Sequence, residues 1–304
     1  MPAPSLRPLT LDDCSWFEAR LSTHPVPGDQ LAAYSFPYHV IWRDLFTYEW
    51  MELEGHVCLV AGNAEGCFLA LPPIGPDPCG PAMSRAFAFL SERNKVKALT
   101  RIENVPESLA GCCSDQEYRV TPKGPDYLYR RDDLVGLHGD RFKSQRVAYN
   151  HCVKESCPTF RVYRPDDAEA CLALFGHWRQ NVKPDGASDL AAHLATDAGH
   201  AHRQGITHAA ELGLVGGVVE VEGRVAAYTF GYPLNAQTFC VLFEIADRQV
   251  KGLGAYIFRE FCRELEPYEF INTMDDSGLD GLRRAKLAYH PLRLVESYII
   301  SLLR

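Results

Sequence analysis

No stretch of this 304-residue chain approaches the ~20 consecutive apolar residues that span a bilayer, and its start has no basic segment followed by an apolar one. A soluble, unexported chain, cytoplasmic by default, is therefore expected. No Cys-x-x-Cys pair and no His-Glu-x-x-His occurs, although the chain holds 11 cysteines. An odd number of thiols, two of them adjacent at Cys112-Cys113, reads as reduced side chains acting as small hydrophobes. His193, His200, His202 and His208 crowd one region without a ligand motif around them, so they are read as part of a polar helix and loop, and no metal is expected. The dinucleotide fingerprint Gly-x-Gly-x-x-Gly and the P-loop Gly-Lys-Ser/Thr are both missing, as is a recognisable context for a Ser-His-Asp or Cys-His nucleophile. Positive charge is short overall, and a net charge of −8 argues against a general nucleic-acid binder.

What is present suits one large or two ordinary domains, since 46% of residues are apolar. Charge is uneven. Residues 130–154 carry six basic side chains against three acidic, and residues 280–293 four against one. Local patches of this size suffice for a small anionic substrate or the end of a tRNA.

The chain reads in order as helices over 9–21 and 36–45, then strands over 48–53, 56–61 and 67–71. The five prolines between Pro72 and Pro81 exclude a further strand there and make a loop before a helix over 82–94. Strands near 97–102, 117–121 and 126–130 would complete a first sheet. A helix over 140–155 places Lys143, Arg146, Asn150 and Lys154 on one polar stripe opposite Phe142, Tyr149 and Val153. The pattern then restarts with a strand at 160–164, a helix from Asp166-Asp167 through Trp178 and a polar helix over 188–203. Val219-Glu-Val-Glu-Gly-Arg-Val225 echoes Met51-Glu-Leu-Glu-Gly-His-Val57, each a strand turning at Glu-Gly into another. That echo implies two copies of one αβ unit, with the division at residues 140–156: a first domain over 1–139, a linking helix, and a second domain over 157–304.

The richest stretch is 239–291. An apolar run, Phe239 to Ala246, leads into Gln249-Val-Lys-Gly-Leu-Gly254 and then an amphipathic segment with Leu253, Ile257, Phe261 and Leu265 at spacing four. A strand, glycine turn and helix of this kind offers unpaired N–H groups to a phosphate, making Gln249, Lys251, Gly252 and Gly254 candidates for a cofactor cradle. Glu244, late in the strand, is a candidate base, although alternation does not say which way it points. After a strand over 268–272, Asp275-Asp276-Ser277 reads as the cap of a helix from about Gly278 to Pro291, with Arg283, Lys286 and His290 on one face. Asp275 and Asp276 are alternative bases as well as caps. Arg283 and Lys286 are candidate phosphate or carbonyl clamps, Tyr289 a proton donor, and Asn272 with Lys143, Arg146 and Asn150 candidate substrate contacts.

The Gln-x-x-Gly-x-Gly turn resembles the acyl-CoA pyrophosphate loop of the GNAT acyltransferase fold. The segment from Ile271-Asn-Thr-Met-Asp-Asp-Ser-Gly through Leu-Arg-Arg-Ala-Lys286 to Tyr298 resembles the signature of the DUF2156 family. Ser35-Phe36, Trp42-Arg43, Asp126-Tyr-Leu-Tyr129, Arg146 and Asn150 resemble that family too. Met274 departs from it, standing where the family pattern carries an acidic residue. The resemblance implies an α/β (α+β) fold of two tandem GNAT-like domains, each a mixed, mostly antiparallel sheet flanked by helices. It also implies an acyltransferase with no permanently bound cofactor, moving an aminoacyl group from aminoacyl-tRNA to a small-molecule, peptide or lipid acceptor. Two alternatives stay open: an acyl-CoA-dependent N-acyltransferase, and a non-catalytic binding protein on the same scaffold.

Overall fold

A computed structural model describes residues 5–24, 31–112, 117–181 and 189–303. Cys113, the expected helix start at Ser188 and the His193 side chain lie outside what is described. Packing divides the chain into two units, one made of Met1–Asp126 with Val295–Arg304 and the other of Tyr127–Leu294. The division expected at residues 140–156 differs: that helix lies within the second unit, and the last strand returns to the first.

Each unit is built on a seven-stranded mixed sheet flanked by helices, the arrangement of a tandem GNAT-like protein. The first sheet runs Arg7–Pro8, Thr47–Leu53, His56–Asn63, Gly66–Leu69, Arg101–Pro106, Ser297–Leu302, Tyr118–Pro122. The second runs Arg293–Val295, Asp126–Arg130, Phe270–Asn272, Thr238–Ala246, Arg224–Pro233, Val215–Val221, Thr159–Val162. Each contains a parallel pair joined by a helical crossover: Gly66–Leu69 with Arg101–Pro106 through the helix Pro81–Arg93, and Thr238–Ala246 with Phe270–Asn272 through the helix Leu253–Glu264.

Periodicity explains how each crossover helix seats. Pro81 supplies a preset φ at the first turn, and Ala82, Met83, Ala86, Phe87 and Leu90 make one stripe that packs on Met51, Val60, Leu69 and Ile102. Leu253, Ile257 and Phe261 do the same in the second unit. Phe261 joins Tyr127, Tyr129, Phe239 and Ile271 in one cluster, and Leu253 and Ile257 pack with Val219 and Ala227 in another.

The sequence echo corresponds to two hairpins of one geometry. Leu53 pairs with His56 across Glu54 (φ 49°) and Gly55 (φ 75°), and Val221 pairs with Arg224 across Glu222 (φ 52°) and Gly223 (φ 76°). Two successive positive φ values make these type I′ turns, in which Asn-Gly is the favoured pair. Glu222→Asn is therefore expected to stabilise the protein by about 1 kcal/mol, the order of the left-handed penalty a Glu carries. Urea unfolding of the two proteins checks it.

Several expected elements move. The strand expected at 97–102 is a 3-10 turn, Lys97–Leu99, followed by the strand Arg101–Pro106, whose Ile102, Val105 and Pro106 enter the core or its edge. Val153, expected to pack, is 41% exposed, because the packed face of the helix Lys143–Ser156 is made by Phe142 just before it, Gln145 and Cys152. The two short strands after Pro291 are not anticipated in the pattern, since the first, Arg293–Val295, has only three residues. Each of the ten described cysteines is a free thiol. Among the described residues no helix is long and apolar enough to cross a membrane, and no three His, Cys, Asp or Glu side chains cluster as a metal site would.

Candidate active site

All the groups of the candidate site belong to the second unit, where the parallel pair opens. Thr238–Ala246 and Phe270–Asn272 pair at only three positions, ending at Cys240 with Asn272. On its other side Thr238–Ala246 stays paired with Arg224–Pro233 to Ala246, so its last six residues leave the shorter parallel strand and a wedge forms. A bulge sits where the divergence begins: Gly231 pairs with Val241 but Phe230 with Phe243, leaving Leu242 extra. Gly231 is required there, because a Cβ would stand 2.1 Å from the Cys240 carbonyl oxygen.

Glu244 lies on the diverging length, opposite Thr229. Its Oε2 is buried without a hydrogen-bond partner, and desolvation pushes the carboxyl up to about 8. Its charge in turn raises the Cys262 thiol and the Tyr289 phenol, both of which burial already raises. That coupling puts the carboxyl on the side of the sheet covered by the helix Leu253–Glu264 and by Tyr289, whose ring meets Phe258 edge-on at 5.0 Å between centroids. A carboxyl poised near neutrality in a wedge between strands is suited to taking and returning a proton.

The second strand of the pair ends in a kink. Asn272 is fully buried, and its Oδ1 accepts the Met274 N–H at 2.6 Å, which holds Met274 at φ 61°. Lys286 Nζ donates into the kink, to the Thr273 carbonyl at 2.5 Å, to that of Met274 at 3.1 Å and to that of Asp275. Tyr127 fastens the next residues by donating its hydroxyl to Asp276 Oδ2 at 2.6 Å, and Tyr129 donates to the Lys286 carbonyl at 2.9 Å. Asp275 and Asp276 do not cap the helix. Their Oδ1 atoms accept the N–H groups of Ser277 and Gly278 in two consecutive side-chain turns, and the helix Asp280–Leu287 starts after Leu279.

Arg283, Lys286 and His290 consequently do not share a face. Lys286 turns inward onto carbonyls, Arg283 is exposed, and His290 lies past the helix end with its Nε2 2.9 Å from the Arg141 carbonyl. Lys286→Met would leave the Thr273 and Asp275 carbonyls without the lysine donor, while that of Met274 keeps the Tyr127 N–H, so a loss of about 1–3 kcal/mol is expected, against within about 0.5 kcal/mol for Arg283→Met. Urea midpoints of the two variants check the contrast.

The Gln249–Gly254 turn is held by Asp247, which is 5% exposed. Its Oδ1 accepts the Gln249 N–H at 2.9 Å and its Oδ2 takes Arg224 at 2.9 Å; these contacts, outweighing its burial, keep the carboxyl below its usual range. Gly252 has φ 85°, and a Cβ there would stand 2.1 Å from the Ala148 carbonyl oxygen of the helix Lys143–Ser156. Helix packing thus accounts for this glycine. A Cβ at Gly254 would meet nothing beyond its own helix within 4 Å, and Gln249 and Lys251 are exposed.

Of the polar stripe on the helix Lys143–Ser156, Arg146 donates to the carbonyls of Leu137 and, at 2.6 Å, Gly139, bracing the turn before its own helix. Lys143 and Asn150 are exposed, and Lys154 meets Glu155 at 3.3 Å. Gln145, 7% exposed, donates to the Ala288 carbonyl at 2.6 Å, joining the helix start to the turn that carries Tyr289 and His290. The wedge therefore gathers Glu244, Asn272, Tyr289 and, at the kink, Lys286, while Lys143, Arg146, Asn150 and the glycine turn stand apart from it. Asp247, Gln145 and the two tyrosines were not singled out as site residues by pattern; only the Asp126-Tyr-Leu-Tyr129 resemblance signals the tyrosines.

The sequence pattern of the family described as phosphatidylglycerol lysyltransferase, C-terminal, matches residues 29–301. No curated protein sequence matches the chain. Among solved structures, a conserved protein of unknown function from Bacteroides thetaiotaomicron superposes with a TM-score of 0.85 at 24% identity, covering 99% of this chain and 100% of that one. L-PGS from Bacillus licheniformis superposes at 0.63 and 14% identity, over 94% of this chain and 91% of its own. The DUF2156 C-terminal domain of a putative lysylphosphatidylglycerol synthetase from Agrobacterium fabrum superposes at 0.62 and 13%, over 94% and 92%. These likenesses establish a shared fold, and the match over residues 29–301 establishes the family: the chain belongs to the phosphatidylglycerol lysyltransferase C-terminal (DUF2156) family.

Proposed function

We propose that this protein is an aminoacyltransferase that moves an aminoacyl group from aminoacyl-tRNA to an amine or hydroxyl acceptor, with Glu244 as proton acceptor. The observation that carries the reading is the buried Glu244 Oε2 without a hydrogen-bond partner in the wedge of the parallel pair. The ionised carboxylate takes the proton of the acceptor as its oxygen or nitrogen attacks the ester carbonyl carbon. When the tetrahedral intermediate collapses, the bond to the ribose oxygen breaks and that oxygen needs a proton. In this reading Tyr289, whose phenol is held well above its usual range by burial and so keeps its proton, supplies it and is reprotonated from Glu244. Asn272 and Lys286 act as positioning residues that fix the kinked strand end. The family description makes a phospholipid hydroxyl the first acceptor to try. Exposed cations on the helix Lys143–Ser156, apart from the wedge, and at Arg283 and Arg284 suit the backbone phosphates of a tRNA.

The acyl-CoA reading draws on the same unit, through the open space at Gly254. Thermal unfolding separates the two. Charged tRNA is expected to raise the midpoint while acetyl-CoA does not, and a ligand at 100 times its Kd adds about 2.7 kcal/mol. A rise with acetyl-CoA alone would replace aminoacyl transfer with acyl-CoA chemistry.

A further inference from the structure

The first unit carries its own version of the wedge. Its parallel pair meets at a single position, Leu69 with Ile102. Its second strand kinks two residues later at Asn104 (φ 53°), just as Met274 comes two residues after Asn272 in the other unit. The segments after the first strand of each pair differ. Where the second unit has a glycine turn, this one has Pro72-Pro-Ile-Gly-Pro-Asp-Pro-Cys-Gly-Pro81, and prolines have no N–H to offer an anion. The donors that remain are spoken for at three positions: Ile74 by the Val57 carbonyl, Asp77 by His56 Nε2 at 3.1 Å, and Gly80 by the Asp77 carbonyl.

Beyond the carboxyl ends of this parallel pair lies a cavity of about 300 Å³, lined by Pro72, Pro73 and Pro78 after the first strand, Leu109 after the second, and Leu21, His24 and Tyr34 from the first part of the chain. The crevice outside the carboxyl ends of parallel strands is where ligands bind in α/β sheets. The Tyr34 hydroxyl donates back to the Asn104 carbonyl at 3.3 Å, so the residue closes the cavity as a tethered ring. Its volume stands at the lower bound of ligand pockets, enough for one ring-sized group.

We propose that this cavity is a second binding site, separate from the Glu244 wedge, that takes an uncharged aromatic ring. Proline rings, leucine methyls and a tyrosine ring favour such a group by apolar burial and ring stacking, and the N–H groups missing at the prolines leave an anion fewer backbone partners than the glycine turn of the second unit offers. The site does not depend on the aminoacyl transfer reading.

Indole is the probe, with the peptide Gly-Trp-Gly as a second arm to distinguish a free small molecule from an aromatic side chain of a partner. Ligand-observed NMR and thermal unfolding are run on the parent, Leu109→Trp, which fills the cavity, and Pro78→Lys, which places an ammonium in it from a partly exposed position. Saturable binding to the parent and to Glu244→Gln is expected, with affinity at least about tenfold weaker in both cavity variants, or about 1.4 kcal/mol. Equal binding to the folded Pro78→Lys variant, or none to the parent by either probe, overturns the proposal.

Discussion

Glu244→Gln is expected to lower the rate of aminoacyl transfer by about 10²–10⁴-fold, the contribution of a positioned general base, while charged tRNA still binds. The variant keeps the shape of the side chain and cannot take a proton. The same substitution has a signature that needs no substrate. Glu244 is held up to about 8 by burial, whereas an unfolded chain releases that proton near the ordinary carboxyl value of 4.5. Between those two values the folded protein binds a proton that the unfolded chain has lost, so stability falls as pH rises through the window and levels off above it. Glu244→Gln has no such term. Its unfolding midpoint is expected to gain on that of the parent as pH is raised from 5 to about 8, and a constant difference would mean that Glu244 is hydrated and ordinary.

Gly252→Ala and Gly254→Ala, neighbours in one turn, are expected to behave oppositely. At Gly252 the new Cβ meets the Ala148 carbonyl oxygen at 2.1 Å on a backbone at φ 85°. Left-handed strain of about 1–2 kcal/mol and overpacking of about 1–3 kcal/mol both count against the variant. At Gly254 the space is open and the position is helical, so alanine is neutral or stabilising by up to about 1 kcal/mol. Urea unfolding reads both. Should Gly254→Ala instead abolish binding of acetyl-CoA at unchanged stability, the turn is a phosphate cradle after all.

These glycines illustrate how much pattern alone reveals. A strand, a glycine turn and a helix are legible at 239–265 because the apolar spacing changes from a run to a period of four. The purpose of Gly252 is not, because its constraint comes from Ala148, 104 residues away in sequence. The paired Glu-Gly hairpins are legible because a type I′ turn is specified by the residues inside it. The final strand, Ser297–Leu302, is hidden from local reading, since what seats it is pairing with Arg101–Pro106 and Tyr118–Pro122.

At the site, Glu244 is visible as a carboxylate in an apolar strand, but its direction depends on Cys262 and Tyr289, which the strand does not encode. Lys286 looks like a clamp on a helical wheel. The Met274 kink supplies it with three carbonyl acceptors, and that kink exists only in the folded chain. The acidic residue of the family pattern is missing at the same place, and the lysine there is occupied by backbone.

The central claim is that Glu244 takes the acceptor proton. The pH dependence of a single turnover tests it most directly, with charged tRNA and phosphatidylglycerol vesicles at saturating concentration. A rate that climbs with pH to a plateau, with an apparent pKa near 8 that is absent in Glu244→Gln, is the predicted result. A rate in the parent that is flat from pH 6 to 9, or a climb that persists in Glu244→Gln, would contradict it.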